Sequence, residues 1–223
     1  MGTKRQNIAR TLIQILLFGS IWGSFEVVLD SGLRTINFPY RAGSLVGIGM
    51  LSMGMALAIY KRPSMLIGIG LIAGSFKLLS VPILHIPLSC KANSFIAIGL
   101  QAFVLSLVTG SLIKKMDKSI HTRMGVGGLA ALVSAAGFYF IGMRVAPCPY
   151  LLSFSPLGFM VREGIIWAIF SAIMLPLGYL VGIRLRQTMV HLLTTRPTFG
   201  YAACISISAV CVGISAITIV AVG

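Results

Sequence analysis

Long apolar runs separated by short polar breaks fill the whole chain, and their lengths set the architecture. Seven runs stand out, at about 8–29, 42–60, 65–84, 93–113, 124–145, 159–183 and 199–222. Each approaches or exceeds the roughly 20 residues that carry a helix across a bilayer. With no water in the hydrocarbon core, the backbone must satisfy its own hydrogen bonds, so only helices and closed barrels span it. A barrel strand would alternate polar and apolar positions over about ten residues. These runs do not alternate. The pattern predicts an all-α polytopic membrane protein, one integral domain over 1–223 with a bundle of six to seven transmembrane helices.

Composition sharpens this picture. The chain is 57% hydrophobic and 10% charged, with mean hydropathy +0.98. A soluble domain carries roughly 25% charged residues, and no stretch here is polar enough for a separate soluble unit. The net charge of +14 would fit nucleic acid only if the cations gathered on one face. They are spread over short loops instead, so no nucleic-acid partner is expected. Their expected roles are orientation in the membrane and contact with anionic lipids. Lys4, Arg5 and Arg10 precede the first apolar run, as in a signal peptide. That run contains Trp22 and Glu26 and is followed by no A-x-A-like cleavage site, so an uncleaved first helix is expected.

The loop charges alternate. Lys4, Arg5 and Arg10, then Lys61 and Arg62, then Lys114, Lys115, Lys118 and Arg123, then Arg184, Arg186 and Arg196 make twelve on one side. Arg34, Arg41, Lys91 and Arg144 make four on the other. The first side is therefore expected to be cytoplasmic, with the N-terminus inside. Seven spans would put the C-terminus outside. The stretch from Arg184 to Pro197 is open to a second reading as a short interfacial helix, through Met189, Val190, Leu192 and Leu193.

Gly19 and Gly23, Ser20 and Ser24, and Gly70 and Gly74 sit at small-xxx-small spacing. Close packing of helices within the bundle is the first expectation, docking of a partner helix the second. Pro82, Pro87, Pro147, Pro149 and Pro156 mark outer loops, and Pro176 is expected to kink the sixth helix. Met50, Met53 and Met55 read as adaptable packing. Cys204 and Cys211 read as small packing residues.

Candidate chemistry lies with the few polar groups inside the apolar runs. Of only four carboxylates, Glu26, Asp30 and Glu163 fall in or against lipid, and Asp117 falls in a basic loop. Such groups are costly in a bilayer and usually face a bundle interior or a cavity. Counting rise along alternating helices puts Glu26, Lys77, Gln101, Arg162 and Glu163 in one layer, about 5–12 Å below the outer surface. Two readings stand. One is structural pairing, Glu26 with Lys77 and Glu163 with Arg162 or another cation. The other is an outward-facing cavity for a small-molecule solute, anionic or zwitterionic, with Trp22 and Trp167 as filler or as stacking surfaces. On the second reading, Lys77→Met is expected to weaken ligand binding more than folding.

Cys90 and Cys148 fall in different outer loops on the oxidising side, where a disulfide is one option. A metal site with His85 lacks any recognised ligand spacing, and unpaired thiols are the third option. The chain has no Walker A, G-x-S-x-G, H-E-x-x-H or paired acidic motif. No enzyme activity or cofactor is therefore expected, and an ATP-driven role would need a separate subunit.

The stretch Phe18-Gly-Ser-Ile-Trp-Gly-Ser-Phe-Glu26, the loop ending in Pro39, Phe76-Lys-Leu-Leu-Ser80 and Ile96-Ala-Ile-Gly-Leu-Gln101 carry a resemblance. It resembles the substrate-binding S components of energy-coupling-factor (ECF) transporters, over roughly the first half and loosely the sixth helix. Gln101 stands where that pattern has an acidic residue, and Gly19/Gly23 and Ser20/Ser24 stand in place of an A-x-x-x-A docking motif. The resemblance implies a six-helix core that captures a small molecule from outside, with ATPase and transmembrane coupling subunits driving release inward. The alternative class is a non-catalytic membrane scaffold or assembly protein with structurally paired charges.

Overall fold

A computed structural model describes residues 2–85, 88–195 and 197–222, with side-chain placement at all of these except 2–8, 89, 90, 190, 192–194 and 197. Every regular element among the described residues is helical: α1 Gly2–Thr35, α2 Arg41–Tyr60, α3 Met65–Leu78, α4 Ser80–Leu84, α5 Ser89–Lys118, α6 Ile120–Val145, α7 Pro149–Leu152, α8 Pro156–Phe159, a π-helical turn Met160–Gly164, α9 Ile165–Thr195 and α10 Pro197–Val222. Seven stretches are long and apolar enough to cross a membrane, at Ala9–Thr35, Arg41–Tyr60, Met65–Leu84, Lys91–Lys118, Ile120–Val145, Pro156–Met189 and Thr198–Val222. This is an all-α, multi-pass membrane bundle.

The main helix pairs close a ring. α2 packs along α9, α9 along α6, α6 along α5, α5 along α3, α3 along α1, and α1 returns to α2. α10 stands outside this ring, mainly against α1. Its span is 17% buried, against 67% for α2. Six helices therefore enclose the core and the seventh covers one flank.

Small residues set the closest approaches. A Cβ on Gly178 would lie 2.0 Å from the Leu51 carbonyl oxygen, and one on Gly182 2.6 Å from that of Met55. α2 and α9 thus meet backbone to backbone, the contact that drives helix association where lipid offers no hydrophobic gain. Gly19 and Gly23 press on Ile72 and Phe76 of α3, and Gly70 and Gly74 on Ala102 and Phe95 of α5. Ser20 and Ser24 are buried. These pairs serve packing within the chain. Met50 and Met53 fill the core completely, and Cys204 is buried in it.

The ends of the elements have local causes. Pro82 has no N–H and crowds the carbonyl four residues back, at Leu78, which is where α3 gives way to α4. Lys61 takes the left-handed conformation, φ 54°, and donates its N–H to Leu57 O, closing α2. Ser119 caps α6 by accepting from the Thr122 N–H, and Ser155 caps α8 through Gly158 N–H.

Several boundaries differ from the apolar runs. α1 continues to Thr35 rather than ending near Leu29, and α5 covers Ser89–Lys118 rather than 93–113. The stretch after Arg184 is no separate interfacial helix: α9 continues through it to Thr195, and it also passes through Pro176 without interruption.

Candidate functional site

At the end of the ring bearing few loop cations, the helices part around a cavity of about 460 Å³. That volume lies within the roughly 300–1,000 Å³ usual for small-molecule sites. Its wall takes residues from α1, α2, α3, α5, α6, α7, the π turn and α9, and none from α10.

One side is built by a ladder on α1. Trp22, Glu26, Asp30 and Arg34 recur every four residues and so share a helix face. Trp22 Nε1 donates to Glu26 Oε1 at 3.1 Å. Lys77, from α3, reaches across with Nζ 3.4 Å from Glu26 Oε2 and 3.0 Å from Asp30 Oδ2, and it donates to the Glu26 carbonyl at 2.8 Å. Arg41 Nε lies 3.2 Å from Asp30 Oδ1, and Arg34 Nη2 lies 3.7 Å from Oδ2. Glu26 and Lys77 are buried, while Arg34 and Arg41 reach the rim. Each buried charge thus has an opposite charge beside it, as a low-dielectric site requires.

Deeper in, Gln101 of α5 donates from Nε2 to the Val46 carbonyl of α2 at 2.7 Å. Gly49 leaves the room: a Cβ there would sit 2.5 Å from the Trp22 ring and 2.8 Å from Gln101 Nε2.

The opposite side is aromatic. Phe138 and Trp167 stack with centroids 5.8 Å apart and rings 29° from parallel. Glu163 stands near them on the π-helical turn, a local widening often found at functional sites. The Tyr150 hydroxyl lies close to its carboxylate. Burial, then the adjacent Glu163 charge, raises the Tyr150 phenol above its ordinary value. Glu163 makes no ion pair among the described residues. Two buried polar atoms on the wall also lack hydrogen-bond partners among them: Asn93 Oδ1, an acceptor, and Trp167 Nε1, a donor. The other Asn93 amide atom donates to Ala146 O at 2.5 Å.

The depth argument therefore brings Glu26, Lys77, Gln101 and Glu163 to one cavity. It misplaces two residues. Arg162 is exposed, with its guanidinium 5.8 Å from the Phe154 ring. Consecutive helical residues point about 100° apart, so Glu163 and Arg162 do not share a face, and no Glu163–Arg162 pair forms among the described residues. Trp22 is fully buried behind Glu26, off the cavity wall. It supports a wall residue and offers no stacking surface. Asp30, one of the three carboxylates in or against lipid, joins the wall although the depth count left it out of the layer, and Arg34, Arg41, Asn93 and Tyr150 join it unanticipated. The four-residue spacing on α1 pointed to Asp30 and Arg34. Arg41, Asn93 and Tyr150 arrive by tertiary folding alone. Cys148 lies on the wall. Cys148 is a free thiol, so the disulfide considered between it and Cys90 does not form; the Cys90 side chain lies outside the described residues.

No protein-family model matches this chain, and no curated protein or solved structure does either.

Proposed function

We propose that this protein is the solute-binding membrane subunit of a transporter, similar to the S components of ECF systems. It captures a small molecule in the cavity from the outer side of a bacterial inner membrane, with the N-terminus cytoplasmic. The observation that carries this reading is convergence: six helices of one ring supply charged, amide and aromatic groups to a single opening, and the wall keeps a carboxylate, Glu163, without an ion-pair partner among the described residues. Structural pairing alone needs no cavity. The chain's positive-charge asymmetry supports this orientation, which turns the cavity outward. ATPase and transmembrane coupling subunits would supply the energy, since the chain offers no phosphate-binding motif of its own.

A second reading has its own support. Glu26, Asp30 and Lys77 neutralise one another within the chain, as a membrane scaffold with purely structural charges would have them do. Gentle-detergent purification of the tagged chain from its native host, with mass spectrometry of everything retained, separates the two. Co-purified ATPase subunits together with a bound small molecule support capture. Recovery in a large complex without a small molecule supports the scaffold.

A further inference from the structure

The two sides of the cavity carry opposite charge surpluses. On the α1–α3 side, the two carboxylates Glu26 and Asp30 face three cations, Lys77, Arg34 and Arg41. On the α6–α9 side stands Glu163, with the Tyr150 hydroxyl close by, Arg41 and Arg162 within electrostatic reach of that hydroxyl, and no ion-pair partner for Glu163 among the described residues. A half-buried carboxylate gains strongly from a cation brought to it, and the surplus cations opposite gain from an anion. An amine alone would meet the cationic side, and a carboxylate alone would meet Glu163. A molecule with one group of each sign satisfies both.

The surfaces between the charges narrow the class further. Phe138 and Trp167 form a stacked pair on the wall beside Glu163, and flat aromatic faces favour both rings and organic cations. Trp167 is 4% and Asn93 9% exposed, and each keeps one polar atom without a partner among the described residues. Neither atom reaches the cavity surface, so a ligand meets the ring faces rather than these two polar atoms.

Building on the capture reading, we infer that the solute is a ring-bearing zwitterion. Its cationic group lies against Glu163 with the ring over Trp167 and Phe138. Its anionic group lies toward Arg41 and Lys77. No bond forms or breaks; recognition is by charge, stacking and hydrogen bonding.

The test uses matched probes. Purified protein is dialysed against an equimolar mixture of tryptophan, tryptamine and indole-3-acetate, phenylalanine, phenethylamine and phenylacetate, and tyrosine, tyramine and 4-hydroxyphenylacetate. Compounds retained after washing are quantified by mass spectrometry. The inference expects the zwitterion of at least one set to be retained about tenfold over its amine and its acid. Glu163→Gln should abolish that preference by admitting the acid, and Arg41→Gln should abolish it by admitting the amine. Both variants should keep the wild-type melting temperature, which separates lost recognition from lost folding. Equal retention of acid and zwitterion by the wild type, or an unchanged preference in a folded Glu163→Gln, overturns the inference. If none of the nine is retained, the molecule that co-purifies from the host decides. One with a ring and both charges upholds the class, and one lacking any of these overturns it. Absence of any co-purified molecule overturns the capture reading beneath it.

Discussion

Replacing Lys77 with Met removes one cation from three contacts: Glu26 Oε2 at 3.4 Å, Asp30 Oδ2 at 3.0 Å and the Glu26 carbonyl at 2.8 Å. The consequences for the two carboxylates differ. Asp30 keeps Arg41 at 3.2 Å and Arg34 at 3.7 Å. Glu26 keeps only the Trp22 indole at 3.1 Å, a neutral donor, and its side chain is 5% exposed. The variant therefore strands one buried charge, a change that costs roughly 3–5 kcal/mol. Neutralising both partners removes the cause, so Lys77→Met with Glu26→Gln should fall within about 1.5 kcal/mol of wild type. The two substitutions should thus couple favourably by about 2–3 kcal/mol. The expectation that Lys77→Met weakens ligand binding more than folding did not include this cost, because the sequence does not reveal how many groups the lysine holds. Reversible unfolding in bicelles, followed for wild type, both single variants and the double, measures the cycle. A loss below about 1 kcal/mol in Lys77→Met, or additive effects in the double, would refute the reasoning that Lys77 neutralises Glu26.

Other outcomes follow from single contacts. Gly178→Ala places a methyl group 2.0 Å from the Leu51 carbonyl and should cost roughly 1–3 kcal/mol or more. Gly213→Ala on α10, with nothing within 4 Å, should be near neutral in the same assay, and equal effects would contradict the α2–α9 packing. At the basic end Asp117 accepts from Lys61 and, at 2.6 Å, from the Tyr179 hydroxyl; Lys61 and Asp117 are 25% and 46% exposed. Solvent screening therefore limits the cost of Asp117→Asn to under about 1 kcal/mol, and a larger loss on unfolding would refute this. Tyr150 has its phenol raised above 10.0 by burial and by Glu163. The unfolded phenol ionises first, so its contribution to stability is complete below that pH and falls as pH rises beyond it. Tyr150→Phe should flatten that alkaline decline, and an unchanged slope in the unfolding free energy would count against the closeness of Tyr150 to Glu163.

The spans were legible because a bilayer imposes one length on every apolar run. Their ends were not, because helices outlast the apolar window wherever charges find partners. Asp30 and Arg34 extend α1 beyond Leu29 as part of an ion-pair ladder. After Arg184 nothing in the residues breaks a helix until Pro197, so α9 simply continues. Depth along a helix is a count of residues, and it grouped Glu26, Lys77, Gln101 and Glu163 correctly. Rotation about the axis is less forgiving, since one residue turns the side chain by about 100°. That is why Arg162 leaves the site its neighbour Glu163 enters; Trp22 shares the face of Glu26 but lies one turn back along α1, off the cavity wall. Arg41 and Tyr150 lie outside the apolar runs used to select polar candidates, and the ring closes around them only in three dimensions.

Native mass spectrometry of the gently purified protein, run beside Ala97→Trp, tests the central claim most directly. Ala97 lies on the cavity wall, so an indole there occupies the space a solute would need. The account predicts a small bound mass on the wild type that disappears in Ala97→Trp while the folded charge-state distribution persists. A bound mass that survives the filled cavity, or a wild type that carries none, would contradict it.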